Sequence, residues 1–350
     1  MSTNQQNPEP IPSPLHFHFG EYSTTVNFYS TPQNLFDGVD LAVFDENTRP
    51  LVGNLACAEL VLSSGESHKN WVSVEKILNA AMELGLARDS VILGFGGGVL
   101  CDMTAFAASL YMRGCQLVLA PTTLLSMVDA ALGGKTGVDF QGYKNMVGTY
   151  YPAQELRIWP GALKTLSDRE FLSGLAEVFK AALLDDEVLW QFLKNNKAGI
   201  LARDPAKLQI LTQASIAVKG RIVEADPKEK GIRAHLNLGH TFAHALETIS
   251  QFSWTHGEAV VWGIDRALVL SRELGLASQD YLLEARGVFL DYGYKLGDPK
   301  QDSAALLGAM KKDKKKAAGH VRFVLQKGLG DSLLQKVEDE VVLRVLGGMS

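Results

Sequence analysis

The chain has 350 residues, 46% of them hydrophobic and 21% charged, the balance of an ordinary globular protein and enough length for two domains, since single cores rarely grow past roughly 250 to 300 residues. A formal net charge of −5 gives no general attraction to a phosphate polymer, which excludes a nucleic-acid partner held by bulk electrostatics. Cys57, Cys101 and Cys115 are odd in number and form no C-x-x-C pair, which argues against a disulfide framework and for a reducing, cytoplasmic setting.

In chain order, MSTNQQNPEPIPSPLHF is polar and proline-rich with no apolar stretch to make a signal peptide, so residues 1–14 read as a flexible leader. From 15 to 166, short β-branched runs alternate with helical patterns, predicting a mostly parallel, Rossmann-like α/β domain. LAVFDENT (41–48) reads as a strand ending in an acidic turn, and AELVLSSGESHKN (58–70) as a strand followed by a helix near Trp71. SVILGFGGGVLCDMTAFAASLYM (90–112) and CQLVLAPTTLL (115–125) each give a buried strand running into a glycine-rich or polar turn. Four glycines and Asp102 interrupt the apolar stretch 91–112, so a strand, turn and helix explain it better than a membrane span, and no membrane association is expected.

Ligands of such sheets sit just beyond the carboxyl ends of the strands. Here those ends are Asp45, the 65–69 turn, the glycines at 96–98, and Thr122 with Thr123. Glycines there let backbone amides approach a pyrophosphate, whose charge a helix N-terminus favours; a plain strand-to-helix turn is the alternative. Asp45 is either a ribose-binding carboxylate or a turn residue. VDAALGGKTGVDFQGYKNMVG (128–148) sets Asp129, Lys135, Lys144 and Asn145 among glycines in a stretch that looks buried. A buried lysine is expensive unless it meets an anion, so this segment points to a pocket for a small anionic substrate, with an ordinary surface loop as the alternative.

From 167 to 350 helices dominate. Ser167-Asp168-Arg169-Glu170 has the pattern of a capping box, and the helix it opens runs through LAEVFKAALL, placing Glu177 and Lys180 one turn apart on one face. LNLGHTFAHALETISQFSWTHGEAV (236–260) holds three of the eight histidines. His240 and His244 share a helix face, and the Trp-Thr-His-Gly-Glu turn can fold His256 back towards them. These imidazoles are either metal ligands or histidines satisfied by hydrogen bonds in a packed helical domain. KKDKKK (311–316) reads as solvated surface.

GGGVLCD, PTTLLSMVDAALGGKTGVD, YKNMVG, ALKTL with RE and GLAEVFKAALL, and RAHLNLGHTFAHALE with WTHGEAV together resemble the 3-dehydroquinate synthase family in order and near-spacing, over roughly residues 40 to 330. The resemblance implies a Rossmann-like NAD-binding α/β domain (15–166) and an all-α metal-binding domain (167–350) with the active site in the cleft between them. It implies a carbon–oxygen lyase that converts 3-deoxy-D-arabino-heptulosonate 7-phosphate (DAHP) to 3-dehydroquinate and phosphate, the second step of the shikimate pathway to chorismate and the aromatic amino acids. The route is transient oxidation by NAD, β-elimination of phosphate, re-reduction, ring opening and intramolecular aldol closure, with no net redox.

Carried over residue by residue, the metal ligands are Glu177, His240 and His256, with zinc expected and cobalt a substitute. The NAD contacts are Asp45, Glu66, Lys69, Gly97, Gly98, Asp102, Thr122, Thr123 and Thr165. The substrate contacts are Asp129, Lys135, Lys144, Asn145, Lys219, Arg233, Asn237, His244 and Lys314, and the catalytic set is Lys135, His244, Asn145, Arg233 and Lys180. A homodimer is also implied. Cys101 stands where the family usually has glycine, Met103-Thr104-Ala105 replaces the usual Leu-Ala-Gly, and His235 fills a commonly apolar position. The alternatives are a cyclase of neutral sugar phosphates, making a valiolone-type or aminocyclitol precursor, and a metal-dependent alcohol or glycerol dehydrogenase.

Overall fold

The computed structural model describes residues 13–251, 253–314 and 321–348; nearly all of the leader and the last two residues of the 311–316 lysine run lie outside them. The chain divides into two compact units, one holding the described residues up to 167 together with 208–227, the other holding 168–207 and the residues from 228 onward. The segment 208–227, read from sequence as part of the helical domain, thus packs with the α/β unit.

The α/β unit is built on strands β1 (Leu15–Phe19), β2 (Tyr22–Phe28), β3 (Leu41–Asp45) and β4 (Ala58–Leu62), helix α1 (Trp71–Glu83), strand β5 (Val91–Gly96), helix α2 (Gly98–Leu110) and strand β6 (Gln116–Pro121), followed by β7 (Lys135–Phe140), β8 (Tyr143–Tyr150) and β9 (Glu155–Ile158). Seven strands form one sheet in the order β1-β2-β9-β6-β5-β3-β4, parallel throughout except for the β1–β2 pair. Phe44 and Phe95 from neighbouring strands meet Phe36 with ring centroids 5.5 to 5.7 Å apart, an aromatic nucleus under the sheet's central strands. From β3 the chain passes to β4 on one side and returns through β5 on the other, so the strand order reverses at the β3–β5 boundary. Such a switch opens a crevice beyond the strand ends, and Asp45 and the 96–98 glycines stand on its two sides.

The second unit contains α3 (Asp168–Asp185) and α4 (Glu187–Leu201); α5 (Pro205–Ala225) belongs mainly to the first unit. It continues with α6 (His240–Ile249), α7 (His256–Glu273), α8 (Gln279–Asp291), α9 (Ser303–Lys314), the hairpin β10 (Arg322–Gly328) and β11 (Asp331–Lys336), and α10 (Asp339–Gly347). The hairpin corrects the all-α expectation: this unit is largely helical, with one antiparallel pair. Its strands bond each other and dock on the end of α3, where the buried Gln326 amide donates to the Leu183 carbonyl at 2.7 Å and the Gly330 N–H donates to it at 2.9 Å. Helix α7 packs against α3, α6, α8, α10 and β10 and is the axis of the unit. Among the described residues, no helix is long and apolar enough to cross a membrane.

Candidate active site

Two groups of the residues singled out from sequence converge, one in each unit. In the helical unit, two glycines set the first group. A Cβ on Gly257 would lie 2.1 Å from the Ser173 carbonyl oxygen, and Gly257 N donates to Ser173 Oγ at 3.0 Å, so the start of α7 lies directly on α3. Gly239 has φ of +78° as the N-cap of α6, and a Cβ there would meet the backbone of Ile264 at 2.6 Å. A side chain at either position would hold the helices apart. Thr255 and Glu258 close a capping box at the start of α7, fixing His256 as its first residue.

The consequence is that Glu177 from the middle of α3, His240 from the first position of α6 and His256 from the first position of α7 each offer one ligand atom, all within 4.8 Å of one another. Glu177 Oε1 lies 3.0 Å from His256 Nε2 and 3.6 Å from His240 Nε2. Its other oxygen is fully buried and makes no hydrogen bond, although Lys180, one turn along α3, stands against it as an ion pair. The outward ring nitrogens are engaged: His240 Nδ1 donates to the Leu238 carbonyl at 3.1 Å, and His256 Nδ1 faces Glu247 Oε1 at 3.3 Å. Both bonds present Nε2 to the centre of the cluster, the arrangement in which metal-ligating histidines are held. One carboxylate and two imidazoles, with Glu177 Oε1 and both Nε2 atoms turned to a common centre, fit a catalytic divalent zinc site with open positions.

The electrostatics follow from crowding. Burial works to raise the Glu177 carboxyl, and Lys180 with the two imidazoles overrides it, holding the group well below the ordinary carboxylate range. Burial and the nearby Lys180 push His240 far down. Burial also opposes the His256 imidazolium, but the carboxylates of Glu177 and Glu247 prevail and push that imidazole up to about 10.

His244 projects from the exposed side of α6, its ring centroid 5.4 Å from that of His240, so the two histidines that share a helix face are not both in the cluster. Arg233 is buried in the short helix Ile232–Asn237, and Asn237 Nδ2 donates to Glu229 Oε1 and the Ala234 carbonyl, each at 3.2 Å. Lys314 ends α9; its side chain lies outside the described residues. His235 is half-buried, and burial lowers its imidazole pKa. Glu247 is the residue that sequence reading missed. It lies two helical turns beyond His240 on the same face, and that spacing was the available signal.

In the α/β unit the second group centres on Lys69, which is 5% exposed. Its ammonium donates to Asp102 Oδ2 and to Asn145 Oδ1, each at 2.5 Å, joining a residue expected at NAD to one expected at substrate. Burial raises the Asp102 carboxyl against the pull of Lys69. Gly97 caps α2 without a side chain, and Gly98 is the first residue of that helix. A Cβ on Gly97 would meet Thr123 Cγ2 at 3.2 Å. Bare amides at the start of this thirteen-residue helix, with Thr122 and Thr123 beside them, make an anion cradle suited to a pyrophosphate. Cys101 does not disturb it: the thiol is buried, with Sγ 3.5 Å from the Gly96 carbonyl, and burial pushes its pKa up. Asp45 is occupied as a turn residue, accepting from the N–H groups of Asn47 and Thr48 at 2.9 Å through Oδ1, which leaves Oδ2 for a ligand. Thr165 Oγ1 donates to the Ala162 carbonyl at 2.8 Å.

Lys219 from α5 donates to both the Asp129 side chain and its backbone carbonyl at 2.6 Å. Lys135 and Lys144 are exposed on the β7–β8 hairpin, with Lys144 3.0 Å from Glu66. The burial expected of this segment holds for Val128, Ala131, Leu132 and Val138 but not for the lysines, because among the described residues the two strands pair only with each other and β8 is open along nearly all its length. Asn145 lies in that hairpin with φ of +53°, its N–H bonded to Asp139 Oδ1 at 2.8 Å.

Comparison with known proteins bears on both groups. Residues 59–173 match the family model for the 3-dehydroquinate synthase N-terminal region, and residues 174–316 match that for its C-terminal region. The chain is 38% identical to the 3-dehydroquinate synthase of Campylobacter curvus over 85% of its own length and 86% of the relative's. With the 3-dehydroquinate synthase of Ruminiclostridium cellulolyticum it shares 37% identity over 90% and 88% of the two chains. Among solved structures, the 2-epi-5-epi-valiolone synthase ValA of Streptomyces hygroscopicus subsp. jinggangensis, with NAD+ and Zn2+ bound, superposes with a TM-score of 0.85 at 28% identity, covering 94% of this chain and 97% of that one. The two family matches and the identity along most of both curated relatives leave one conclusion: the chain belongs to the 3-dehydroquinate synthase family.

Proposed function

We propose that the chain converts DAHP to 3-dehydroquinate and inorganic phosphate, with NAD and a divalent metal, zinc or cobalt, as cofactors. The observation that carries the reading is the buried Glu177–His240–His256 cluster in a chain 38% identical to a 3-dehydroquinate synthase. Bound there, the metal would supply Lewis acidity to a substrate hydroxyl, and NAD would supply reversible hydride transfer.

The chain's own groups bind and orient. Gly97, Gly98, Thr122 and Thr123 receive the pyrophosphate, with Asp45, Glu66, Lys69, Asp102 and Thr165 serving the rest of the dinucleotide. Arg233, a buried guanidinium, suits the substrate carboxylate through its planar fork. Lys135, Lys144 and Asn145 hold phosphate oxygens, with Asp129, Lys219, Asn237 and Lys314 completing the substrate contacts. His244 stands next to the cluster, its ring centroid 5.4 Å from that of His240, and serves to accept or return a proton at the substrate hydroxyl. Lys180 balances the Glu177 charge, and Glu247 keeps His256 Nε2 turned inward. The protein acts as a homodimer in the cytoplasm.

The test is an assay of purified protein with DAHP, NAD and zinc, followed by mass spectrometry and phosphate release. The expected result is dehydroquinate with one phosphate per turnover and no net NADH, lost on omitting NAD or chelating the metal. The likeness to a valiolone synthase supports a second reading, a cyclase of a neutral seven-carbon sugar phosphate. Turnover of that substrate by cofactor-replete protein that leaves DAHP untouched would replace the first reading with the second.

A further inference from the structure

The helical unit also holds a half-open cavity of about 580 Å3, bordered by α7, α8 and α10 and by Leu296 and Gly297. Along α7, Arg266 lies roughly 15 Å and Arg272 roughly 24 Å beyond His256, so the cavity is separate from the metal cluster.

Four arginines line it, Arg266, Arg272, Arg286 and Arg344, and two carboxylates serve all four. Asp265 is fully buried and shared: Arg286 donates to it at 2.8 and 3.1 Å, and Arg266 donates through Nε at 3.1 Å and through Nη2. Glu273 lies at longer range, 3.4 Å from Arg272 Nη2 and 3.6 Å from Arg344 Nε. Arg266 is only 5% exposed, its guanidinium 5.9 Å from the Trp262 ring centroid. Counting Asp265 and Glu273 against the four arginines, the wall carries two positive charges in excess inside a chain of net charge −5, and clefts lined by one sign of charge concentrate the opposite one. Between the arginines the lining is aliphatic, with Leu282, Leu290 and Val345. The volume falls within the roughly 300 to 1,000 Å3 of small-molecule sites, which are mostly apolar with a few placed polar groups.

We infer that this cavity binds a small organic dianion, two negative charges carried on an apolar body. Arginine forks take carboxylate or phosphate oxygens in pairs, so a dicarboxylate and an organic phosphate monoester both satisfy it. This inference is independent of the reaction proposed above.

The experiment is isothermal titration calorimetry on the full chain at low ionic strength with four probes: terephthalate, phenyl phosphate, benzoate and inorganic phosphate. At least one of the two aromatic dianions is expected to saturate the protein at sub-millimolar concentration, at least tenfold more tightly than benzoate or inorganic phosphate. Which of the two binds assigns the anionic group. The R272Q/R344Q double variant is expected to weaken that binding at least tenfold while retaining its melting temperature and DAHP turnover. The Arg272 and Arg344 side chains are 43% and 62% exposed with long ion pairs, so their loss leaves the fold intact; should the double variant fail to fold, R344Q alone decides. No saturation by either dianion overturns the proposal. So does equal affinity for benzoate or inorganic phosphate, and so does unchanged affinity in the folded variants, which would put the bound anion among other cations of the chain.

Discussion

Gly257→Ala tests whether the close approach of α7 to α3 builds the metal cluster. The added methyl would sit 2.1 Å from the Ser173 carbonyl oxygen and 2.4 Å from its Cα, whereas real Cβ contacts are essentially never below 3.0 Å. The helices must therefore part by about 0.9 Å, and the obstacle is backbone, which cannot rotate away as a side chain could. Overpacking of this kind costs about 1 to 3 kcal/mol. Helix propensity acts the other way, because alanine in place of glycine favours a helix by up to about 1 kcal/mol. The two effects differ in sign, which makes the substitution decisive. A net loss of about 1 to 2 kcal/mol corresponds to a fall in melting temperature of roughly 2 to 8 °C for a unit of this size. Metal-ligand distances tolerate only about ±0.2 Å, so moving His256 by most of an ångström from Glu177 is expected to weaken zinc at least tenfold. The assays are thermal unfolding of the metal-free protein and competition for zinc against a fluorescent chelator. An alanine variant that is more stable than the parent, or that binds zinc within threefold of it, would refute the reasoning.

Glu247→Gln removes the carboxylate at His256 Nδ1 while keeping the side-chain shape. Zinc affinity is expected to drop 10- to 100-fold, as is usual for such outer partners, and an unchanged value in the same competition assay would show that Glu247 does not orient the imidazole. His256→Ala is expected to lose bound zinc and turnover together, and full metal content by elemental analysis would contradict its place among the ligands. Lys69→Met strands the mostly buried Asp102 carboxylate and is expected to cost roughly 2 to 4 kcal/mol in urea unfolding; adding Asp102→Asn should recover part of that loss, and a purely additive double variant would deny the coupling. Lys135→Ala is expected to abolish turnover with the melting temperature within about 1 °C of the parent, since its side chain is exposed and such sites shift stability by less than about 0.5 kcal/mol. Near-normal activity would remove Lys135 from the substrate contacts.

What could be read from the chain, and what could not, divides along the range of the interactions. The strand runs at 41–45, 91–96 and 116–121 declare themselves because a parallel strand buried on both faces is a continuous apolar run, while the edge strand 58–62, half open to solvent, is marked by its β-branched and apolar residues before a polar turn. The glycine turn and its following helix are equally local. In the helical unit the i, i+3 relation of Glu177 and Lys180 is a property of one helix and is found as expected. The hairpin at 322–336 escaped because β10 is buried by α7 and by the end of a helix some 140 residues earlier, and no pattern within fifteen residues encodes those partners.

The cluster itself shows the limit most sharply. By periodicity, His240 and His244 are the natural pair, yet only His240 meets Glu177; the second imidazole comes from His256, on a different helix. Which histidine turns inward depends on the axis of α7 relative to α3, and that is set by Gly257 against Ser173, 84 positions apart in sequence. A glycine beside a histidine carries no signal of this until its missing Cβ is seen to be the space another backbone occupies. The lysines of the β7–β8 hairpin fail in the opposite direction. Their glycine-rich, apolar neighbours suggested burial, but those glycines serve close strand pairing, as where a Cβ on Gly148 would lie 1.9 Å from the Thr136 carbonyl oxygen. The hairpin therefore leaves Lys135 and Lys144 in solvent, where a lysine is cheap to keep. Their presence is thus no evidence of a binding role in itself, which is why the Lys135→Ala measurement bears on function rather than on fold.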